Sequence, residues 1–499
     1  MAGLSAFAEA SADKKPCATG TMRPVTVIVL AFALGCAPRP APVVAPRIAP
    51  EVLAARLAEA DRLASRGCYL CLKEAAAAYA SLLADADDSV VVGKAFENNL
   101  MLAVREIELR IPDSGARDAA QSLRAKVPSA YDSQFAALDM LAVPLVIGGV
   151  TLQSVRAQRE ERLKLADVLE KEASASAMKA YFFIATALSL REFKELKPTI
   201  DGILAGHPHD LSLEYRMLAF QPTYSGEAAR DLIGQETGFG EVHLLMGQRA
   251  FLSGNLPDAF RELTRARELL PDSVSISFAL ANITFAYARY ADALALYDRI
   301  LASPAATGLE PQVQLGRAKS LSYLKRHDDA IAVLDELLLK DASNNPGEKY
   351  YWRAWNRLQL GQSQLAYDDA TTGLNAMRND AIYRLAGMAS FSLNRLGESR
   401  TFFQEALKMN RADCDSERYL GLLDSAERSW KPASSRFSVA ASCYEAVITR
   451  LRSELAEYEK DITGLSNGLI AAKRLEINEA DALRVQSVQN AAAATKNAR

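Results

Sequence analysis

The chain has 499 residues, 58 Lys+Arg against 61 Asp+Glu, a formal net charge of −3 and 49% hydrophobic residues. It is longer than one hydrophobic core usually serves, and a near-neutral balance supplies neither a basic field for nucleic acid nor an acidic tail. No sustained alternation of apolar and polar residues suggests a sheet, alanine abounds, and glycine and proline collect at turns, so an all-helical chain is expected.

Lys14, Lys15 and Arg23 precede an apolar run of ten residues, Val25 to Leu34, followed by Gly35-Cys36. The run is too short to span a bilayer but suits the h-region of a signal peptide. The segment resembles the bacterial lipoprotein signal, in which a peptidase cuts before a cysteine that is then acylated. The family favours Leu three residues before the cysteine, where this chain has Ala33. The resemblance implies removal of residues 1–35, a lipid on Cys36, and, with Ala37 rather than Asp next to it, export to the periplasmic face of the outer membrane. Translation from Met22 would leave Met22-Arg23-Pro24 as a compact start. Pro38, Pro40, Pro42, Pro46 and Pro50 favour polyproline II over 36–50, a tether of about 40 Å. A buried N-terminal helix with an ordinary cysteine is the alternative.

Residues 51–239 read as degenerate helical repeats. Leu53 to Leu63 and Glu74 to Leu83 form one hairpin, with Val90 to Arg110 and Ser114 to Ala125 at helical spacing after it. Ala177 to Leu190 and Phe193 to Leu204 form another, closed by the turn that holds His207 and His209, two histidines expected to be exposed rather than ligands. The apolar run Leu141 to Leu152 is broken by Pro144 and Gly148-Gly149 and reads as a buried loop or the capping of a helix pair. Cys68 and Cys71 follow Gly67 at the start of an Ala-rich helix. They fit a local disulfide, reduced thiols or part of a metal site, but a redox motif would want a βαβ setting and zinc a second ligand pair.

From Gly247 a small residue returns about every 34 positions, at Ala281, Ala318, Ala354, Gly387 and Gly421, and each has another twelve residues on, at Ala259, Ala293, Ala330, Ala366, Ser399 and Ala433. Two antiparallel helices need small side chains where they pack closest, and this period is the length of one helix-turn-helix unit. The pattern resembles the tetratricopeptide repeat (TPR) family. The first unit carries Met246-Gly247, Ala259, Ala266 and Pro271, and the last carries Leu420-Gly421, Ala433, Phe437 and Ala440. Tyr297 and Phe403 keep the family's aromatic, whereas Ala370 does not, and Ile300 and Leu337 replace its usual Ala. The resemblance covers 240–447 and implies an α-solenoid with a concave groove lined by the first helix of each unit. In this register the groove residues are Gln248, Phe251, Phe278, Asn282, Phe285, Lys319, Tyr351, Trp355, Arg384, Met388, Phe391 and Arg418, several of which would alternatively pack on neighbouring repeats. By the same register Cys414 opens the last unit and Cys443 lies near its end, side by side, so that a disulfide would clasp the final hairpin.

Beyond the array, Ile448, Leu451, Leu455, Tyr458, Ile462, Leu465, Leu469 and Ala472 step by three and four. This predicts one heptad helix over 448–488 that either caps the array or pairs with a second copy as a coiled coil. Residues 489–499 are expected to be disordered. Gly464-Leu-Ser-Asn-Gly468 matches a nucleophile elbow only as letters, since Ser466 would lie inside that helix with no preceding strand and no following histidine. No phosphate-binding loop, dinucleotide fingerprint or zinc motif is present. The expectation is therefore a protein-binding scaffold without enzymatic activity, cofactor or metal. Its groove takes a protein or peptide, its lipid reaches the membrane, and a homodimer is the alternative use of the C-terminal coil. The Lys and Asn set that relatives use as a carboxylate clamp is not reproduced.

Overall fold

A computed structural model of the protein describes residues 48–127, 131–142, 152–188, 190–191, 193–220, 226–340, 345–461 and 463–499. Residues 1–35, Cys36, most of the Pro-rich tether and the core of the apolar run at 141–152 lie outside them. Residues 48–499 form one compact unit, and among the described residues every regular element is helical.

Residues 240–458 fold as six antiparallel helix pairs. These are Gly240–Leu252 with Leu256–Leu269, Val274–Ala286 with Tyr290–Leu301, Glu310–Tyr323 with His327–Lys340, Pro346–Gln359 with Ser363–Gly373, Asp380–Ser392 with Leu396–Met409, and Cys414–Ala426 with Trp430–Tyr458. The small residues sit where the two rods meet. Ala259, Ala281, Ala293, Ala318, Ala330, Ala354, Ala366, Ser399 and Ala433 are all at 0% exposure. A methyl group on Gly421 would stand 2.8 Å from the Phe437 ring, one on Gly387 2.8 Å from Phe403, and one on Gly247 2.5 Å from Leu263. Ser399 Oγ donates to the Gly387 carbonyl at 2.9 Å. The close approach is thus filled by the aromatic or Leu four residues after the second small position. The fold is an all-α solenoid of TPR-like hairpins.

The turn inside each pair is built the same way. Gly254, Ala288, Lys325, Gly361, Asn394 and Arg428 all have φ between 55° and 79°, the left-handed residue that ends a helix. The next amide then reaches back five residues, as in Arg289 N–H to Thr284 O at 3.1 Å and Ser429 N–H to Asp424 O at 2.8 Å. Only two of the six are glycine, which is why the turns carry no glycine signature in the sequence.

Residues 48–239 are helical but depart from one-sided hairpins. Pro50–Ser65 pairs with Tyr69–Asp85, and Ser89–Leu109 leads into Ala116–Leu123. Ala177–Ala187 leans mainly on Leu152–Glu172 rather than on Phe193–Gly206, which corrects the expected hairpin. All ten residues from Met178 to Ala187 are buried, so this helix is surrounded on every side, as a globular core helix is. The region is fastened to the array by buried charge. Arg105, at 0% exposure, lies 4.0 Å from the Tyr215 ring centre and 3.9 Å from Glu241 of the first array helix. Glu241 accepts the Tyr69 N–H at 2.7 Å, and Glu108 pairs with Arg216 at 2.7 Å. Loss of one partner would strand a buried charge, at a cost of about 3–5 kcal/mol. Further along, Ser273 Oγ donates to Leu109 O at 2.6 Å and Val274 N–H to Arg110 O at 3.1 Å.

The C-terminal end contains the expected long helix, but as two rods. The last array helix runs to Tyr458, the chain turns at Gly464 (φ 75°), and Asn467–Asn497 runs back along it. Asp461 builds the turn by accepting from the Thr463 hydroxyl at 2.5 Å, from Ser466 N–H at 2.7 Å and from Thr463 N–H at 2.8 Å, which together hold its carboxyl well below the ordinary range. The expectation of one helix over 448–488 is corrected accordingly: a left-handed glycine and an Asx turn outcompete a continuous seam. Ser466 sits at the start of the second rod rather than inside a helix. The stretch 489–499, expected to be disordered, is helical to Asn497. Alanine favours helix, and Ala494 is buried against Ala433 and Phe437.

Gly421→Val should cost about 1–3 kcal/mol in urea unfolding, because the added bulk meets Phe437. Gly397→Ala, where nothing lies within 4 Å, should instead gain about 0.5–1 kcal/mol.

Candidate functional site

A cavity of about 500 Å³ opens along the first helices of the first four hairpins. Phe251 comes from the first, Phe278, Asn282 and Phe285 from the second, Leu315 and Lys319 from the third, and Glu348 from the fourth. Steps of four and three put Phe278, Asn282 and Phe285 on one stripe of a helix whose other faces are buried. The floor is fixed from beneath. Gly316 leaves room for Tyr297, whose ring would lie 2.5 Å from a methyl there, and the Tyr297 hydroxyl donates to Asn282 Oδ1 at 2.8 Å. Burial raises the pKa of that hydroxyl well above the ordinary tyrosine value, so it stays a donor. Lys319 is ion-paired with Glu348. Rings with a few fixed polar groups can hold an apolar segment in one orientation.

Five of the twelve groove residues expected from the sequence, Phe251, Phe278, Asn282, Phe285 and Lys319, therefore share one cavity. Gln248 is exposed outside its lining. Tyr351 and Trp355 join an aromatic series with Trp352, at centroid distances of 5.5 and 5.9 Å. Burial raises the Tyr351 pKa. Three of the remaining four are engaged between repeats, and Arg418 within its own. Arg384 pairs with Asp413 at 3.0 Å; burial opposes its charge, yet Asp413 and Asp415 hold its pKa above the usual arginine value. Met388 and Phe391 pack in one cluster with Leu420 and Tyr419, and Arg418 lies 4.4 Å from the centre of the Tyr419 ring.

Sequence reasoning missed Leu315, Gln312 and Glu348, as well as Tyr290 and Tyr323, which stack at 4.5 Å beside Phe285. Leu315 stands four before Lys319, as Phe278 does before Asn282, so the register contained it. Its aliphatic character made it read as core. Tyr290 and Tyr323 flank turns, where no periodicity points.

The cysteines lie away from this cavity. Cys414 and Cys443 are joined (S–S 1.98 Å, Cα–Cα 5.5 Å), as are Cys68 and Cys71 (2.10 Å, 5.0 Å). The buried sulphurs of Cys68 and Cys71 lie within 4.8 Å of the Glu236 carboxylate. That carboxylate is held by Arg66 at 2.5 Å, and while the sulphurs are bonded to one another neither is a metal ligand. His243 and His327 are hydrogen-bonded to Glu262 and Asn356, each at 2.8 Å, while His209 is exposed in a turn with φ 62°. Among the described residues no helix is long and apolar enough to cross a membrane.

No family model matches the chain, and no curated protein matches it. Solved structures do. A tetratricopeptide repeat protein from Parabacteroides merdae is 15% identical over 50% of this chain and 93% of its own, with a TM-score of 0.36. Cut9 in the APC/C hetero-tetramer Cut9-Hcn1 is 14% identical over 90% and 94%, at 0.34. YrrB, described as a TPR protein with an unusual peptide-binding site, is 13% identical over 38% and 97%, at 0.32. Scores of this size add nothing to what the repeat geometry of this chain already establishes about its fold.

Replacing Cys443 by Ser should lower stability by about 3.6 kcal/mol, the loop-closure value for a crosslink of this span. A urea series with the double Cys414→Ser, Cys443→Ser variant should give the same loss, and adding dithiothreitol to both proteins should abolish the difference between parent and variant.

Proposed function

We propose that the protein is a non-enzymatic scaffold that grips a partner protein by an extended segment laid in the concave groove, working as a lipid-anchored periplasmic adaptor in an envelope assembly. The observation that carries the binding half is the cavity in which Phe251, Phe278 and Phe285 converge beside Asn282 and Lys319. Aromatic rings give large contact area at small entropic cost, and such residues dominate binding energy at protein interfaces. The envelope half rests on the sequence, on the run before Cys36 and the prolines after it. Pairing of two copies through the C-terminal seam has less support, because Ile448 and Leu451 of that seam are already buried inside the chain.

A photoreactive p-benzoylphenylalanine at Phe285 should crosslink a partner in native envelopes, and the same group at Gln364 on the outer helix surface should not. Phe278→Ala should cut the Phe285 yield by about tenfold, roughly one hot-spot contact. Equal yields at both positions would remove the groove from the function. For the anchor, Cys36→Ala should abolish palmitate labelling and free the protein from membranes, and retention without label would contradict it.

A further inference from the structure

The C-terminal rods do more than cap the sixth hairpin. At one end Ile477 and Ala480 pack with Cys414 and Tyr444, and Ala494 with Phe437, all on the last repeat. At the other end the rods reach the second. A methyl group on Gly468 would lie 2.4 Å from the Tyr287 carbonyl oxygen and 3.2 Å from the Ala288 carbonyl carbon, so the rod touches the backbone of that turn with nothing between. Leu469, Leu465 and Tyr458 join the apolar cluster that contains Tyr287 and Ala288. Tyr287 itself is 2% exposed, and its pKa is pushed up to about 12 by burial and then by Asp461 and Tyr458. Further along the second rod, Glu476 adds to the raised pKa of Tyr290 and of Tyr323, after burial. Tyr323 stands 5.6 Å from Phe285, a wall of the cavity. The rods contribute no residue to the cavity lining. They stand one ring away from it.

The chain therefore closes on itself: from the second hairpin through the sixth, out along the rods and back to the turn at Ala288. We propose that this C-terminal strap selects the partner by size, so that with the strap docked the groove admits an extended polypeptide segment carrying apolar side chains, and a folded domain enters only after the tip leaves the Ala288 turn. The proposal rests on the groove reading above. The glycine is what makes the contact selective, since any side chain at position 468 collides with backbone that cannot swing aside. The tip interface is also small, a few aliphatic groups and the rings of Tyr287 and Tyr458, whereas the Ile477 to Ala494 end is fastened along the whole last helix.

The test uses the full chain with Cys17 and Cys36 changed to Ser and a single reporter thiol at exposed Gln312, a cavity-lining position. In this Gln312→Cys protein N-ethylmaleimide should react freely and a maleimide attached to a small folded protein slowly. Adding Gly468→Leu, which favours the helix but cannot dock, should raise the large reagent's rate about tenfold and leave the small one's unchanged. Hydrogen exchange should rise over 459–470 and at the Ala288 turn and stay protected over 480–497. Leu465→Asp should do the same, which covers the case in which the first variant misfolds. An unchanged ratio of large to small rates, with or without faster exchange, would overturn the strap. Failure of the small reagent to label Gln312→Cys in any variant would instead overturn the groove reading, and the strap's gating role with it.

Discussion

The close approach of two antiparallel helices at a pair of small residues is the constraint on which the array depends. With Gly421 opposite Ala433, or Gly387 opposite Ser399, the rods come near enough for Phe437 and Phe403 to lie flat in the gap. A larger residue at either point would part them. Each such pair fixes the angle of its hairpin, the left-handed residue of its turn fixes the return path, and the next hairpin stacks on what is left exposed. Stability then accumulates by nearest neighbours, while the first helices of successive units are brought side by side into one concave surface.

Two further devices bound the array. On its N-terminal side the fully buried Arg105 and the Tyr69 amide join residues 48–239 to Glu241, while Leu109 and Arg110 hydrogen-bond to the second hairpin. Buried charge of this kind contributes little net stability but penalises every misregistered docking. At the C-terminal side the strap folds the last helix back on the second hairpin. Both ends of the groove are thus set by the chain itself, which is a way to hold a concave surface in one curvature instead of letting a solenoid flex.

The hairpins were legible in the sequence because their contact points tolerate only small residues, so Gly247 to Gly421 announce themselves by spacing alone. That five of the twelve expected groove positions share one cavity has a related reason: Phe278, Asn282 and Phe285 form one half-buried stripe of a single helix. Arg384, Met388, Phe391 and Arg418 occupy equivalent register positions yet are taken by neighbours, and no local pattern separates the two outcomes. The seam after Ile448 misled because apolar steps of three and four are the same whether a helix meets a second copy or itself. Gly464, which weakens a helix, was the visible sign of the break. The globular packing around Ala177–Ala187 left no trace, since a helix buried all round has no periodicity to read.

A double-mutant cycle between Gly421 and Phe437 addresses the geometric premise directly. Gly421→Ala should destabilise the parent but be neutral or stabilising in Phe437→Leu, where the ring no longer fills the gap, giving a coupling of about 1 kcal/mol or more. Additivity within about 0.5 kcal/mol, the behaviour of sites that do not touch, would contradict close approach as the origin of the repeat.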